Sequence, residues 1–414
     1  MLRLFLRRAY DTVPYYRRLF DQAGTHPSAV HTLGDLARLP IVTGDALRAA
    51  PRDFVSSNVN LERCVLLKSS GSTGREKRVY HDPGSLLLNV LAGERLESIY
   101  RSILPRRWRY RRAQIHAPHS THNKIQGAQH RVLAPLRALG PRNLSLSVGM
   151  PFLDKVAALN AFRPDMVRGY ARAVGELFDR ARREGVALHR PALAVLGGEA
   201  LLPEMRAALT EHFGVPVFMS YSSNEALRIG FECGAGPGYH LHEDLCAVRI
   251  VDDDGRTLAP GEKGRVIISN LMNRGTMLLN YDQGDRARLI AEPCACGRSS
   301  TRIELTETRD VPMLKTLDGR VIHSAELLLS LGDHPEIDLA QIVIEAPGRW
   351  RVLLISADPG ATRRWLERAA QWVRERAGPT VEVAVELTDT PALSRAGKTL
   401  PVIVRCWGAP PYHD

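Results

Sequence analysis

Several things are scarce in this sequence of 414 residues. Cysteine occurs six times, too thinly for a chain of this length to rest on a disulfide framework. Long apolar runs are missing, and no stretch approaches the roughly eighteen residues a membrane helix requires. The opening segment, MLRLFLRRAYDTVPYYRRLF, is broken by Arg3, Arg7 and Arg8. It therefore lacks the continuous apolar region and small-residue cleavage site of a secretory signal. Internal repeats and low-complexity segments are absent as well. These absences exclude a disulfide-stapled secreted scaffold, a membrane-spanning protein and a repeat array, and they lead to the expectation of a cytoplasmic protein.

What is present describes a globular protein: 44% hydrophobic and 24% charged residues, in a length that suits two domains. The net charge is +11 and the pI about 9.6. Its densest patch is Arg101–Arg112, RSILPRRWRYRR. Such a patch suits nucleic acid, a solvated basic face, or attraction of polyanionic small molecules and acidic proteins. Elsewhere the basic residues scatter and no known nucleic-acid module is present, so a zinc-stapled nucleic-acid-binding protein stays a remote alternative.

The chain is organised around Lys68–Lys77, KSSGSTGREK, which follows the apolar run Cys64–Leu67. An apolar strand emptying into glycines and hydroxyl residues leaves backbone N–H groups and side-chain donors free for an anion, and Lys77 adds positive charge at the exit. It is not a Walker loop, because position 76 is Glu. Alone, the stretch reads rather as a Ser/Gly surface turn. Three further pieces follow in order: a Tyr-x-x-x-Glu element (Tyr221–Glu225), a Tyr-x-x-Gly-Asp element (Tyr281–Asp285) and a late Gly397-Lys398.

Together the four pieces resemble the adenylate-forming superfamily of acyl-CoA synthetases, adenylation domains and luciferases, with the strongest likeness to the phenylacetate–CoA ligase family. The resemblance implies an α/β fold: a large N-terminal adenylate-forming domain of mixed sheets with flanking helices over 1–308, and a small, mobile α+β C-terminal lid domain over 309–414. Between residues 61 and 300 alternating strand and helix patterns agree with this, including helices at Leu153–Ala161, Ala173–Glu184 and Pro203–Phe213 and strands at Ala192–Leu196 and Val215–Ser220. Beyond 305 the pattern changes to strands interspersed with helices at 323–331 and 361–377.

The implied chemistry joins a carboxylate to the α-phosphate of ATP, expels pyrophosphate, and passes the acyl group to coenzyme A. Ser69, Ser70, Gly71, Ser72, Thr73 and Gly74 would cradle the phosphates with Lys77. Glu225 would hold Mg2+, Tyr221 would stack on adenine with Asn224 beside it, and Gly198 and Glu199 would line the other wall. Asp285 would accept from the ribose hydroxyls, with Arg309, or Arg302 as the fallback, as a second ribose contact. Lys398, in a glycine-flanked loop, would bring its ammonium to the anionic transition state.

A second set is Cys233, His240, Cys294 and Cys296, three thiols and an imidazole that complete a tetrahedral zinc sphere. Several phenylacetate–CoA ligases carry the same Glu-Cys, Gly-x-His and Cys-x-Cys-Gly-Arg pattern, and four protein ligands imply a structural zinc. His242 or Cys246 are the alternative fourth ligands, and three reduced core thiols the plain alternative. His116, His119 and His122 follow a strand at three-residue spacing, where many relatives are aromatic and glycine-rich. A polar loop there points to an acid more polar than phenylacetate. The expected partners are that small carboxylic acid and coenzyme A, with an acyl carrier protein or an amine as the alternative acceptor and a second copy of the chain in a homodimer. Neither membrane nor nucleic acid is expected.

Overall fold

The computed structural model describes residues 2–69, 77–106, 108–116, 125, 140–148, 150–198, 201–307, 313–323, 327, 339–346, 348–355, 359–388, 392 and 402–404. The first helices form where local signals place them. α1 (Leu2–Thr12) is followed by α2 (Pro14–Gln22), whose first residue is the proline that suits that position. α3 (Gly44–Ala49) begins at Thr43, whose hydroxyl accepts from the Ala46 N–H. Leu6, Tyr16, Phe20 and Leu47 from this region share a core with Ile250, Ile268 and Tyr281.

β1 (Val65–Ser69) and β2 (Lys77–His81) form an antiparallel hairpin in which Ser69 lies opposite Lys77. α4 (Pro83–Ile103) follows, started by the Asp82 carboxylate accepting from the N–H groups of Gly84 and Ser85. Next come β3 (Arg111–His116), β4 (Arg142–Ser147), α5 (Phe152–Phe162), β5 (Met166–Tyr170), α6 (Ala171–Arg183), β6 (Leu193–Gly197), α7 (Pro203–Ala207) and β7 (Val217–Ser223). Strands in the order β4-β3-β5-β6-β7 are all parallel. α6 buries Val174, Leu177, Phe178 and Ala181, the three- and four-residue spacing of one helical face. The helix expected over Pro203–Phe213 is α-helical only to Ala207, and Ala208–His212 continue as a π-helical turn.

After β7 the sheet changes character. β8 (Leu227–Phe231), β9 (Tyr239–Leu241), β10 (Cys246–Val251), β11 (Gly264–Asn270), β12 (Tyr281–Ile290) and β13 (Arg302–Glu307) pair antiparallel in the order β7-β8-β9-β13-β12-β11-β10. Among the described residues this makes one sheet of 11 strands, half parallel and half antiparallel.

Beyond it, β14 (Met313–Lys315) pairs with β15 (Val321–His323). β16 (Leu339–Ala346), β17 (Arg349–Ile355), α8 (Pro359–Ala377), β18 (Glu382–Leu387) and β19 (Val402–Val404) follow, with strand order β18-β17-β16-β19. This unit has its own core, including Ile342, Trp350, Val352, Ala369 and Val373. The division expected at 308/309 falls outside the described residues, as does nearly all of the helix expected at 323–331. Among the described residues no helix is long and apolar enough to cross a membrane.

Candidate active site

β7 and β8 are joined by a tight hairpin in which Ser223 pairs with Leu227. Leu227 has a left-handed backbone, φ 63°, which costs a non-glycine residue about 1–3 kcal/mol. Its side chain is buried with Leu67 and Leu86, and that burial, worth about 1.5–3 kcal/mol, offsets the strain. The turn packs against the end of the β1–β2 hairpin from which the Ser/Thr/Gly-rich segment leaves. The Asn224 amide donates to the Lys68 carbonyl at 2.9 Å. The Lys77 ammonium donates to the Glu225 carboxylate, with the two residues only 4% and 3% exposed. Both anchors of the Ser/Thr/Gly-rich segment are thus tied to two consecutive residues of one turn.

Other strands complete the grip. The Asn270 amide donates to the Glu225 carbonyl at 2.9 Å. The His81 Nε2–H donates to the Asn224 carbonyl at 2.7 Å. Burial pulls the His81 pKa down to about 4, so the imidazole is neutral and its donor role is fixed. The first residues of β12 reach across the same turn. Tyr281 Oη accepts from Lys77 at 3.0 Å, the Ser223 hydroxyl meets Gln283 Oε1 at 3.4 Å, and the Tyr221 hydroxyl donates to Asp285 at 2.8 Å. Tyr281 and Gln283 share a face by strand alternation. Asp285, two residues further on, lies on the same side, past an irregularity in the register at Gly284, whose φ is 81°. β7 and β12 are not neighbours in the sheet, so these contacts show that its antiparallel half curls back on itself.

Ligand-binding clefts of α/β sheets open at strand C-termini. β6 ends here at Gly197 and Gly198. Gly198 has φ 84°, and a Cβ on it would come within 3.0 Å of the Tyr170 ring.

The cysteine set gathers elsewhere. One ligand atom from each of Cys233, His240, Cys294 and Cys296 lies within 4.8 Å of the others. The Cys233 and Cys294 sulfurs are 3.5 Å apart and Cys296 Sγ is 3.4 Å from His240 Nε2. A disulfide needs about 2.05 Å, whereas ligands about 2.3 Å from a tetrahedral zinc stand roughly 3.5–3.8 Å apart. The spacing fits the metal. Ser300 Oγ lies 3.0 Å from His240 Nδ1, which leaves Nε2 for the sulfurs. Burial pushes the Cys233 thiol up to about 11. At Cys296 burial also raises the pKa, but hydrogen bonds from the Arg298 backbone and side chain and from neighbouring thiols outweigh it, holding it at about 7. Of the alternative ligands, His242 contacts Arg95 at 3.3 Å and Cys246 is buried in the core beside Val266 and Ile268.

No family model matches the chain. It is 29% identical over 367 residues to a phenylacetate–coenzyme A ligase of Thermus thermophilus, covering 84% of this chain and 77% of that protein. It is 27% identical over 314 residues to the Escherichia coli phenylacetate–coenzyme A ligase, covering 73% and 68%. Its fold matches a solved 2-hydroxyisobutyryl-CoA ligase in the postadenylation state in complex with R3-HIB-AMP, with TM-score 0.63 at 20% identity over 97% of this chain and 88% of that one. Over most of its length the chain is thus similar in sequence to phenylacetate–coenzyme A ligases, and it shares its fold with the 2-hydroxyisobutyryl-CoA ligase.

The structure brings Lys77, Tyr221, Asn224, Glu225 and Asp285 together, with Ser69 at the hairpin end and Gly198 at the end of β6. Asp285 sits in a strand with an irregular register and is bonded to Tyr221. Ser70, Gly71, Ser72, Thr73, Gly74, Glu199, Arg309 and Lys398 lie outside the described residues, as do His119 and His122. Arg302 requires correction as a ribose contact. In the β12–β13 register it faces Ile290, five residues beyond Asp285, or roughly 17 Å along the strand. Its guanidinium donates to the carbonyls of Pro237 at 2.9 Å and Glu292 at 2.6 Å, clamping the two loops that carry the cysteines. Residues that the sequence did not single out are His81 and Asn270. Each acts on the turn through the backbone of residues 224 and 225, and no local motif signals that.

Proposed function

We propose that this protein is an AMP-forming acid–thiol ligase, which activates a carboxylic acid with ATP and transfers the acyl group to coenzyme A. The observation that carries this reading is that residues 224 and 225 hold both anchors of the Ser/Thr/Gly-rich segment, with the Tyr221–Asp285 pair beside them. In the first step a carboxylate oxygen attacks the α-phosphorus, the bond to the pyrophosphate oxygen breaks, and pyrophosphate leaves. Two anions must approach each other, so the step depends on oriented donors and positive charge. Ser69 through Gly74 supply donors to the β- and γ-phosphates. Tyr221 and Asn224 take the adenine, Gly198 and Glu199 its other side, and Asp285 and Arg309 the ribose. In the second step the coenzyme A sulfur attacks the acyl carbon and AMP leaves.

Glu225, a buried carboxylate with its charge already compensated by Lys77, is the residue that would hold Mg2+, which neutralises phosphate charge when bound. Cys233, His240, Cys294 and Cys296 would hold a zinc with no position left open, and its contribution is to the fold. Lys398 would act on the first step. A single ammonium at about 4 Å in an effective dielectric of about 20 contributes roughly 4 kcal/mol, or about three orders of magnitude in rate.

The purified protein is expected to form AMP from ATP and Mg2+ only when an acid is added, and a thioester only when coenzyme A is added too. A supplied carrier protein or amine in place of coenzyme A tests the other acceptors. AMP formation indifferent to acid, or none with any acid, overturns the reading. Lys398→Ala is expected to lower acid-dependent pyrophosphate exchange about a thousandfold while a supplied acyl-adenylate is still converted. Equal loss of both steps would remove Lys398 from this role.

A further inference from the structure

One face of the parallel half of the sheet carries an unusual charge. β3 presents Arg112, Gln114 and His116 on alternate positions, and β5 presents Met166, Arg168 and Tyr170, with Gln114 opposite Arg168 in the register. Met166 packs with Leu96, Tyr100 and Leu104, so this is the face that α4 covers. Tyr170 lies against Gly198, on the proposed nucleotide wall, and its ring centroid is 5.5 Å from that of His116. Arg168 is two residues back along β5, about 7 Å deeper under α4. The row Gly198, Tyr170, His116, Arg168 therefore leads from the reacting centre into the layer between sheet and helix.

Arg168 is half-buried and makes no hydrogen bond or ion pair among the described residues. Its charge is felt by Tyr100, Tyr110, Arg112, His116 and Arg228. Burial, then the charges of Arg168 and Arg112, depress His116 to about 3, and burial, then Arg168, lowers Arg228 to about 10. Arg228 enters this layer because α4 carries Gly93 there. A Cβ at that position would come within 2.9 Å of its Nη2, and Arg228 Nε donates to the Asn89 carbonyl at 2.9 Å.

Among the described residues Glu97 faces these guanidinium groups: its charge reaches Arg112 and Arg228, and it accepts from the Tyr110 hydroxyl at 3.1 Å. Between Glu97 and Asp154 the sequence has no aspartate or glutamate but nine arginines. The stretch of sequence from β3 to β4 therefore contains no carboxylate of its own. Gathering like charges away from water is unfavourable unless a counter-charge joins them, and the guanidinium fork matches a carboxylate well.

We infer that the acid activated by this enzyme is a dicarboxylic acid, whose second carboxylate is received by Arg168 under α4, with Arg112 and Arg228 supporting its charge. The inference rests on the ligase reading above. It makes Arg168 a specificity-determining residue: one carboxylate goes to the phosphates and the other to the far end of the acyl pocket.

The test compares acids matched in shape, such as hexanoate with adipate and phenylacetate with 4-carboxyphenylacetate, by AMP formation in the full-length enzyme. The diacid of at least one pair is expected to have a kcat/KM about tenfold or more above its partner. Arg168→Gln is expected to lower that diacid's kcat/KM about tenfold or more, mainly through KM, and Arg168→Lys to retain part of the preference. Monoacids equal to or better than diacids in every pair overturn the inference and leave the ligase reading standing. A diacid preference that survives Arg168→Gln overturns the assignment to Arg168. No AMP from any acid overturns the ligase reading, and this inference falls with it. The preference of the unmodified enzyme needs no variant to fold.

Discussion

The candidate active site and the cysteine cluster lie at opposite ends of the same two strands. β8 begins at the Glu225 turn and ends two residues before Cys233, and β12 begins at Tyr281 and ends four residues before Cys294. One end is held by soft ligands and a neutral imidazole, with Arg302 spent on the carbonyls of both loops. The other is held by an ammonium, carboxylates and hydroxyls that bond to one another. Three thiols and an imidazole that would close a tetrahedron around the proposed zinc leave nothing over for a substrate. Opposite charges in a cleft can exchange partners when phosphates arrive. The same framework thus serves rigidity at one end and chemistry at the other.

The sharpest way to break this contrast is to damage each end separately. Cys294→Ser is expected to reduce bound zinc from about one per chain to near none and to lower the melting temperature more than any other variant described here. Structural zinc contributes folding free energy directly. Elemental analysis beside thermal unfolding checks it, and an unchanged metal content would mean the cluster is three core thiols.

At the other end, Glu225→Gln strands the Lys77 ammonium in a buried site and is expected to cost about 3–5 kcal/mol of stability. The double substitution Lys77→Met with Glu225→Leu is expected to recover most of that loss, yet to leave acid-dependent AMP formation absent. Chemical denaturation with a double-mutant cycle reads both. A single variant as stable as the parent would show that the pair is not buried as described.

The smallest effect concerns pH. The unfolded chain protonates His81 near pH 6.5, whereas the folded chain resists until about pH 4. In that window the unfolded state binds more protons, so stability is full above pH 6.5 and falls as pH drops toward 4. The loss is roughly 3 kcal/mol at about 1.4 kcal/mol per pH unit. His116, depressed to about 3 by burial and neighbouring arginines, adds in the same direction. His81→Gln, which keeps a donor for the Asn224 carbonyl, is expected to flatten part of the slope. An unchanged pH profile would mean that His81 is solvated.

How much of this was legible in the sequence depended on distance along the chain. Signals that act within a few residues are of the readable kind: the Thr43 cap of α3 and the apolar spacing of α6. Ligand sets also showed, because Cys-x-Cys and Gly-x-His restrict their own geometry. Tyr281 stood in a noted motif, but its place on Lys77 depends on a curled sheet that no local pattern encodes. Arg302 was misplaced for a related reason. A strand position gives the face of a side chain, whereas the register that carries it far from Asp285 is set by the partner strand. The four-residue difference between Leu227 and Phe231 likewise hides that the first is strained and the second is not.

The separation of Lys77 from its partners also bears on how the protein is made. Glu225 lies 148 residues after Lys77 and Tyr281 lies 204 after it. At about 5–20 residues per second on the ribosome, Lys77 waits roughly 7–30 s for its carboxylate. Until then the Lys77 ammonium has no carboxylate to accompany it into the interior, so it stays in water. The Lys77–Glu225 contact therefore forms late in synthesis, and on the proposed reading a nascent chain stalled before residue 225 would bind no ATP.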